Sequence, residues 1–439
     1  MSPDAADPDF PSGRAAWATM ALLMATMAAS QIDRSIINLL VEPLKSSFRL
    51  SDTQFGALQG IAFGMFYTFL ALPIGMLADR APRRLVIGAC IGLFSLFSAA
   101  TGLAGNYAQL FAARAGVGVG EAGVAPPGFS LISDSFPPHR LGRAISLFTM
   151  SSSIGSAIAL MGGGALIGTL EAARASDPAA LHGLQPWQWA FILAAVPGAI
   201  LAPLYLILRE PPRRGAARSG PRLPLTALLA ELRRLGGFLA LLLIGMSMVT
   251  TTSYATGVWS PALFIRVYGW APREIGFWLG LMTLGGGVVG SFTAGWLVDH
   301  FARRRVEGAV MLVAATAFAG CGLAGALAPL MPNAGAAMAL LAVMHLLLAA
   351  PYACAPVAIQ LVVADRFRSQ VPAVYLTAIS LVGLLIGPVL VGALTDHLFH
   401  SPKDVRYSLS LVVGVAAPIM CTALLLARGP FRRLTAGRA

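Results

Sequence analysis

"GMLADRAPRR", Gly75 to Arg84, places one acid and three arginines at the end of a long apolar run. A close copy, "GWLVDHFARRR", Gly295 to Arg305, ends another apolar run, so the pattern G-x-L-x-D recurs after 220 positions in a chain of 439. A charge cluster repeated at half the chain length indicates two related halves. A second echo is looser: Asp134 and Arg140 correspond to Asp365, Arg366 and Arg368.

The residues around these clusters fix the medium. The chain is 57% hydrophobic and only 11% charged, with a mean hydropathy of +0.74, outside the range of water-soluble domains. Apolar stretches long enough to cross a bilayer core as helices recur between short clusters of Arg, Pro and Gly. They lie roughly at 16–44, 53–78, 84–104, 107–135, 141–170, 187–208, 237–266, 273–298, 307–329, 334–364, 371–398 and 405–427. The expectation is an all-α membrane protein of twelve transmembrane helices in two pseudo-symmetric six-helix bundles. The polar stretch "REPPRRGAARSGPRLP", Arg209 to Pro224, separates the sixth span from the seventh. The segments are a tail 1–14, a bundle 15–208, a basic linker 209–235, a second bundle 236–428 and a tail 429–439.

Arginine and lysine set the orientation, because cytoplasmic loops retain positive charge. With both termini inside, 22 of the 31 basic residues are cytoplasmic and 7 are outside, while Arg34 and Arg114 fall within spans. The acidic, Pro-containing start "MSPDAADPDFPSGR" is unlike the basic start of a cleaved signal peptide, so span 1 is expected to be retained. The net charge of +12 points to anionic membrane lipid, since the basic residues are scattered over loops with no aromatic platform for nucleic acid. Cys90, Cys321, Cys354 and Cys421 lie in apolar spans and suit neither a disulfide framework nor a metal site. No cofactor is expected, and the chain is expected to be a monomer.

Four charges sit deep in spans, where each costs about 2.5–3.5 kcal/mol on insertion scales and tends to face a cavity. They are Asp33 and Arg34 in "MAASQIDRSIINLL", and Arg114 and Glu121 in "RAGVGVGEAGVAPPG". A separation of seven puts Arg114 and Glu121 on one helical face, two turns apart. Asp33 and Arg34 are adjacent, so their side chains diverge by about 100° and serve different neighbours. Ion pairs that only fix helix packing are the competing reading. In the same stretch Gly118, Gly120 and Gly123 spell G-x-G-x-x-G, but mid-span there is neither the strand nor the helix N-terminus a dinucleotide needs. Gly116 and Gly120 instead give small-x-x-x-small spacing for close helix approach.

Span 7 opens "MVTTTSYATGVW", whose hydroxyls either solvate a ligand or bond back to their own helix. His345 in span 10 reads as a core histidine satisfied locally, with a proton relay as the alternative. "SSSIGSAIALMGGG" in span 5 and "LLIGPVL" in span 11 supply either bending points or tight packing. A channel would need a polar file through the chain, and an intramembrane enzyme a motif such as H-E-x-x-H or G-x-S-x-G; neither is present.

Twelve spans, a basic central loop and G-x-x-x-D-R-x-x-R-R after span 2 resemble the major facilitator superfamily over essentially the whole chain. Pro82 stands where that family often has Gly. The resemblance implies a cytoplasmic gate built on Gly75, Asp79, Arg80, Arg83 and Arg84. "QIDR" with "RAGVGVGEAG" is most similar to the spinster branch, associated with proton-linked movement of lysophospholipids and sphingoid phosphates. That resemblance implies Asp33 and Glu121 as the proton-coupling pair. Arg34 and Arg114 would then partner them or bind an amphipathic anionic substrate. An organic-anion symporter or a drug/proton antiporter of the same superfamily is the alternative. The Arg, Ala and Gly richness points to a GC-rich bacterial source and hence an inner-membrane location. Chemically, burial disfavours an ionised carboxylate and a nearby guanidinium favours it, so proton exchange switches which pair forms.

Overall fold

The computed structural model describes residues 13–213, 225–304, 308–364, 367 and 370–436. The N-terminal tail as far as residue 12, linker residues 214–224, Arg305, Asp365, Arg366, Arg368 and the last three residues lie outside the described ones. The described chain is built of helices. In order they are α1 (Gly13–Ile36), α2 (Val41–Phe48), α3 (Asp52–Ala57), α4 (Phe66–Arg80), α5 (Arg83–Gly102), α6 (Tyr107–Glu121), α7 (Ala125–Ser135) and α8 (Pro138–Ser176). Then follow α9 (Pro186–Ile207), α10 (Leu225–Tyr268), α11 (Pro272–Arg303), α12 (Ala309–Leu327), α13 (Ala334–Val362), α14 (Gln370–Leu394) and α15 (Val405–Ala436). Helices are what a bilayer demands, since each satisfies its own backbone polar groups without water.

Among the described residues eleven helical stretches are long and apolar enough to cross a membrane. Eleven of the twelve expected spans are thus matched one for one, with α3 and α4 joined through a π-helical stretch, Leu58–Met65, into one. The fourth, 107–135, is broken. Pro126 and Pro127 have no backbone N–H to continue α6, so the chain turns at Ala122–Val124 and restarts as α7 with proline in its first turn. Glu121 therefore closes a helix instead of lying inside one. Local signals set the other ends. Asn106 and Asn333 cap α6 and α13 through their side chains, and Ser51 with Gln54 forms a capping box before α3.

The chain divides into two compact units. Unit 1 comprises Met1–Leu50, Ile61–Arg222 and Ala271–Gly280; unit 2 comprises Ser51–Gly60, Leu223–Trp270 and Leu281–Ala439. In unit 1, Met20, Leu23, Ile87, Ile91, Phe94, Leu131, Phe148 and Tyr205 form the core where α1, α5, α7, α8 and α9 meet. Small residues set the spacing of α5 and α6: a Cβ at Gly120 would lie 2.6 Å from the Phe94 nitrogen and 2.7 Å from the Cys90 oxygen. The G-x-x-x-G reading of 116 and 120 is therefore a packing device. In unit 2, α10 packs along α14 and α15, and α12 along α13 and α15. Large side chains such as Leu72, Phe69, Ile207 and Phe292 point outward, as expected of surfaces solvated by lipid tails.

Candidate functional site

The four deep charges of unit 1 pair crosswise. Asp33 on α1 meets Arg114 on α6, with Arg114 Nη1 donating to Asp33 Oδ2 at 2.6 Å and neither side chain exposed. Arg34, the next residue, donates instead to Glu121 Oε2 at 2.5 Å. The divergence of adjacent helical positions is realised in these two partners. Ser98 on α5 donates to the other Asp33 oxygen, Oδ1. All four charges belong to one electrostatic cluster, because Glu121 interacts with Asp33 and Arg114 as well as with Arg34.

Access is uneven across the cluster. Asp33 and Arg114 are closed off and Glu121 is 1% exposed, whereas Arg34 keeps 24% of its side chain accessible. Its guanidinium lies 4.6 Å from the Phe63 ring centre and 4.8 Å from that of Tyr67, while Arg114 sits 5.7 Å from Phe63. The two rings stack on each other at 5.6 Å, a platform that holds Arg34 by cation–π attraction. Glu121 Oε1 is buried with no hydrogen bond among the described residues. Burying ions costs several kcal/mol apiece, repaid only by tight geometry, so removing one member leaves its partner stranded. Chemically the site is two carboxylates and two guanidiniums, with one guanidinium partly exposed.

Sequence reasoning selects these four charges but misses their supports. Ser98 is a lone serine in an apolar span, and Phe63 and Tyr67 are two aromatics among the chain's many. None carries a signal until the facing helix is known.

The cluster after span 2 divides. Arg83 is 2% exposed and gives its Nε to Glu210 at 3.1 Å, Nη1 to Ser130 at 2.8 Å and to Asp134, and Nη2 to the Pro211 carbonyl at 3.1 Å. Arg84 caps the end of α9 through the Leu206 and Leu208 carbonyls. Asp79 and Arg80 are exposed, and Gly75 approaches Pro126. The start of the linker closes over this end: Arg213 donates to the carbonyls of Ala78, Asp79 and Ala81, neutralising the C-terminus of α4. Glu210 and Arg213 stand in "REPPRR", where a lone acid among arginines is the available signal.

Unit 2 holds an ion pair that composition does not reveal. Arg266 grips Asp52 with two contacts of 2.7 and 2.8 Å, both residues nearly buried. Asp396 accepts from the Asp52 and Thr53 amides at 3.1 and 2.6 Å, capping the first turn of α3. His345 Nδ1 contacts its own helix at the Leu341 oxygen, 2.9 Å away.

Comparison with known proteins follows the same lines. The family model described as Major Facilitator Superfamily matches residues 23–286. An MFS-type efflux pump of Mycolicibacterium smegmatis is 27% identical over 92% of this chain and 90% of its own length. Protein spinster of Drosophila melanogaster is 24% identical over 66% of this chain, and that match spans about half, 47%, of the fly protein. The crystal structure of a bacterial homolog to human lysosomal transporter spinster, inward-facing and unoccupied, superposes with a TM-score of 0.75 at 23% identity, covering 97% of this chain and 98% of that one.

Proposed function

This chain belongs to the major facilitator superfamily, and from that premise we propose a proton-coupled transporter that works by alternating access on amphipathic anions of the lysophospholipid or sphingoid-phosphate kind. Membership makes the chain a multi-pass membrane transporter of small molecules and not an enzyme. The observation that carries the finer reading is the crosswise pairing of Asp33 with Arg114 and Arg34 with Glu121 in one buried cluster. Protonating either carboxylate releases its guanidinium, and a released guanidinium binds a phosphate. Proton binding to a carboxylate thereby favours anion binding to its arginine, which gives a two-state element that a gradient can drive.

In this reading the bundles 15–208 and 236–428 rock about the linker 209–235, both tails are cytoplasmic, and the membrane is a bacterial inner membrane. Gly75, Asp79, Arg80, Arg83 and Arg84 form the cytoplasmic gate. Resemblance to the spinster proteins supports the lipid-like substrate. A drug/proton antiporter is the second reading, favoured by the efflux-pump relative that covers nearly the whole chain.

Flux into proteoliposomes under an imposed proton gradient tests the assignment, with lysophosphatidic acid and a cationic dye as probes. Gradient-dependent movement of the lysolipid, lost in Arg114→Ala, is the expected result. Movement of the dye alone would favour the antiporter, and lysolipid flux indifferent to the gradient would remove proton coupling.

A further inference from the structure

Unit 2 repeats the layout of the charged site with the charges removed. The register that relates the halves is set by structure as well as by motif. α3 starts at Asp52 and α11 at Pro272, 220 positions apart. Gly56, Gly60 and Gly75 recur at that spacing as Gly276, Gly280 and Gly295, and "GLAG" at 102–105 recurs at 322–325. Arg49 and Gly269, again 220 apart, both take left-handed backbone, with φ of 53° and 72°. Carried forward by the same step, Asp33 and Arg34 fall on Ser253 and Tyr254. For spans 4 and 10 the shared D-x-F, at Asp134 and Asp365, sets a step of 231, which carries Arg114 to His345 and Glu121 to Tyr352. The caps Asn106 and Asn333 are 227 apart, about one helical turn less, so the same face is presented in either register.

The side chains keep the neighbourhood, though not the partners. Tyr352, at the position of Glu121, lies near Ser253 and Tyr254, at those of Asp33 and Arg34. Tyr375 on α14 lies near Tyr352. Spans 7, 10 and 11 hold no Asp, Glu, Lys or Arg at 235–265, 334–364 or 370–395, so this group is uncharged apart from His345. Other hydroxyls of span 7 bond back to backbone, as Thr256 does to the Thr252 carbonyl and Thr250 to those of Ser247 and Ile379. Tyr375, 2% exposed, does not: its hydroxyl has no hydrogen-bond partner among the described residues, nor do those of Thr251 and Thr252 beside Ser253. Buried hydroxyls left unmet are costly and rare. Tyr352, by contrast, keeps 39% of its surface accessible, and Ser253 and Tyr254 are half-buried.

We propose that Ser253, Tyr254, Tyr352 and Tyr375, with His345 two turns from Tyr352, form a neutral subsite for the uncharged hydrogen-bonding part of the transported molecule, a hydroxyl or ester. Phenols both donate and accept, which suits those groups, and no fixed charge is present to hold an ion. The choice of hydroxyl or ester rests on the lipid-like reading above.

Full-length protein in nanodiscs, titrated with two probes of equal chain length, tests it. Monoacylglycerol offers hydroxyls and an ester without charge; an alkyl phosphate offers the anion alone. Tyr352→Phe and Tyr375→Phe keep the rings, and each should weaken monoacylglycerol binding about tenfold while leaving the alkyl phosphate unchanged. Arg114→Ala should give the reverse pattern. The subsite is overturned if monoacylglycerol does not bind wild type, if the two Phe variants bind it as wild type does, or if they lose both probes equally. Tyrosine-dependent binding of monoacylglycerol with no binding of the alkyl phosphate would instead sink the anionic reading and leave the subsite standing.

Discussion

Asp33 and Arg34 are neighbours in sequence that share no partner, and their divergence by about 100° on α1 is what sends one to Arg114 and the other to Glu121. Arg114→Ala should therefore do two things. It strands the Asp33 carboxylate, at about 3–5 kcal/mol of stability, and it abolishes binding of an anionic lysolipid. Arg114→Lys retains the charge without the two-pronged fork and should bind weakly. Thermal melting and a lysolipid titration on the same samples separate the effects, and full transport by Arg114→Ala would remove the arginine from the substrate's path. Ser98→Ala takes one hydrogen bond from a buried carboxylate, so a smaller loss of about 1–3 kcal/mol is expected by the same melting measurement. All four charges were legible because an ion in an apolar run is conspicuous. Who pairs with whom was not, since that depends on how each helix is rotated about its axis, which no local pattern records.

Gly120 and the turn after Glu121 show the next level of organisation. The small-x-x-x-small spacing of Gly116 and Gly120 is readable as close packing, and α5 does press there. The split into α6 and α7 is harder to read, because Pro126 and Pro127 also occur in helices that merely kink, and apolarity continues across the break. Gly120→Ala would drive its Cβ into the backbone of α5, costing about 1–3 kcal/mol. Because position 121 is adjacent, the same change should loosen the Arg34–Glu121 pair and alter the pH dependence of transport. Gly162→Ala is the matching control: nothing lies within 4 Å of its Cβ, so the variant should melt at or slightly above wild type, by up to about 1 kcal/mol. Equal damage from both would mean that helix flexibility, not close approach, is what glycine supplies here.

The repeat of G-x-L-x-D after 220 positions made the two-fold plan of the chain visible before any helix was placed. The strap formed by Glu210 and Arg213 over the end of unit 1 was not visible, because linker charges read only as topology signals until their carbonyl partners are known. Arg83→Ala removes the centre of that strap and leaves Asp134 and Glu210 without it, a loss of about 3–5 kcal/mol in a melting experiment. Asp79 is exposed and contributes no core volume, so Asp79→Asn should leave melting unchanged while shifting the balance between inward-open and outward-open forms. Spectroscopic distances across the cytoplasmic side would report that shift, and unchanged distances would count against a gate at this cluster. Proton coupling through Asp33 and Glu121 is the central claim, and substrate uptake against pH for wild type, Asp33→Asn, Glu121→Gln and the double variant tests it most directly. Each single variant should flatten the pH dependence, and the double should add little to the stronger single, as members of one network do. A double variant that follows pH as wild type does would place the coupling proton elsewhere, with His345 the next residue to replace.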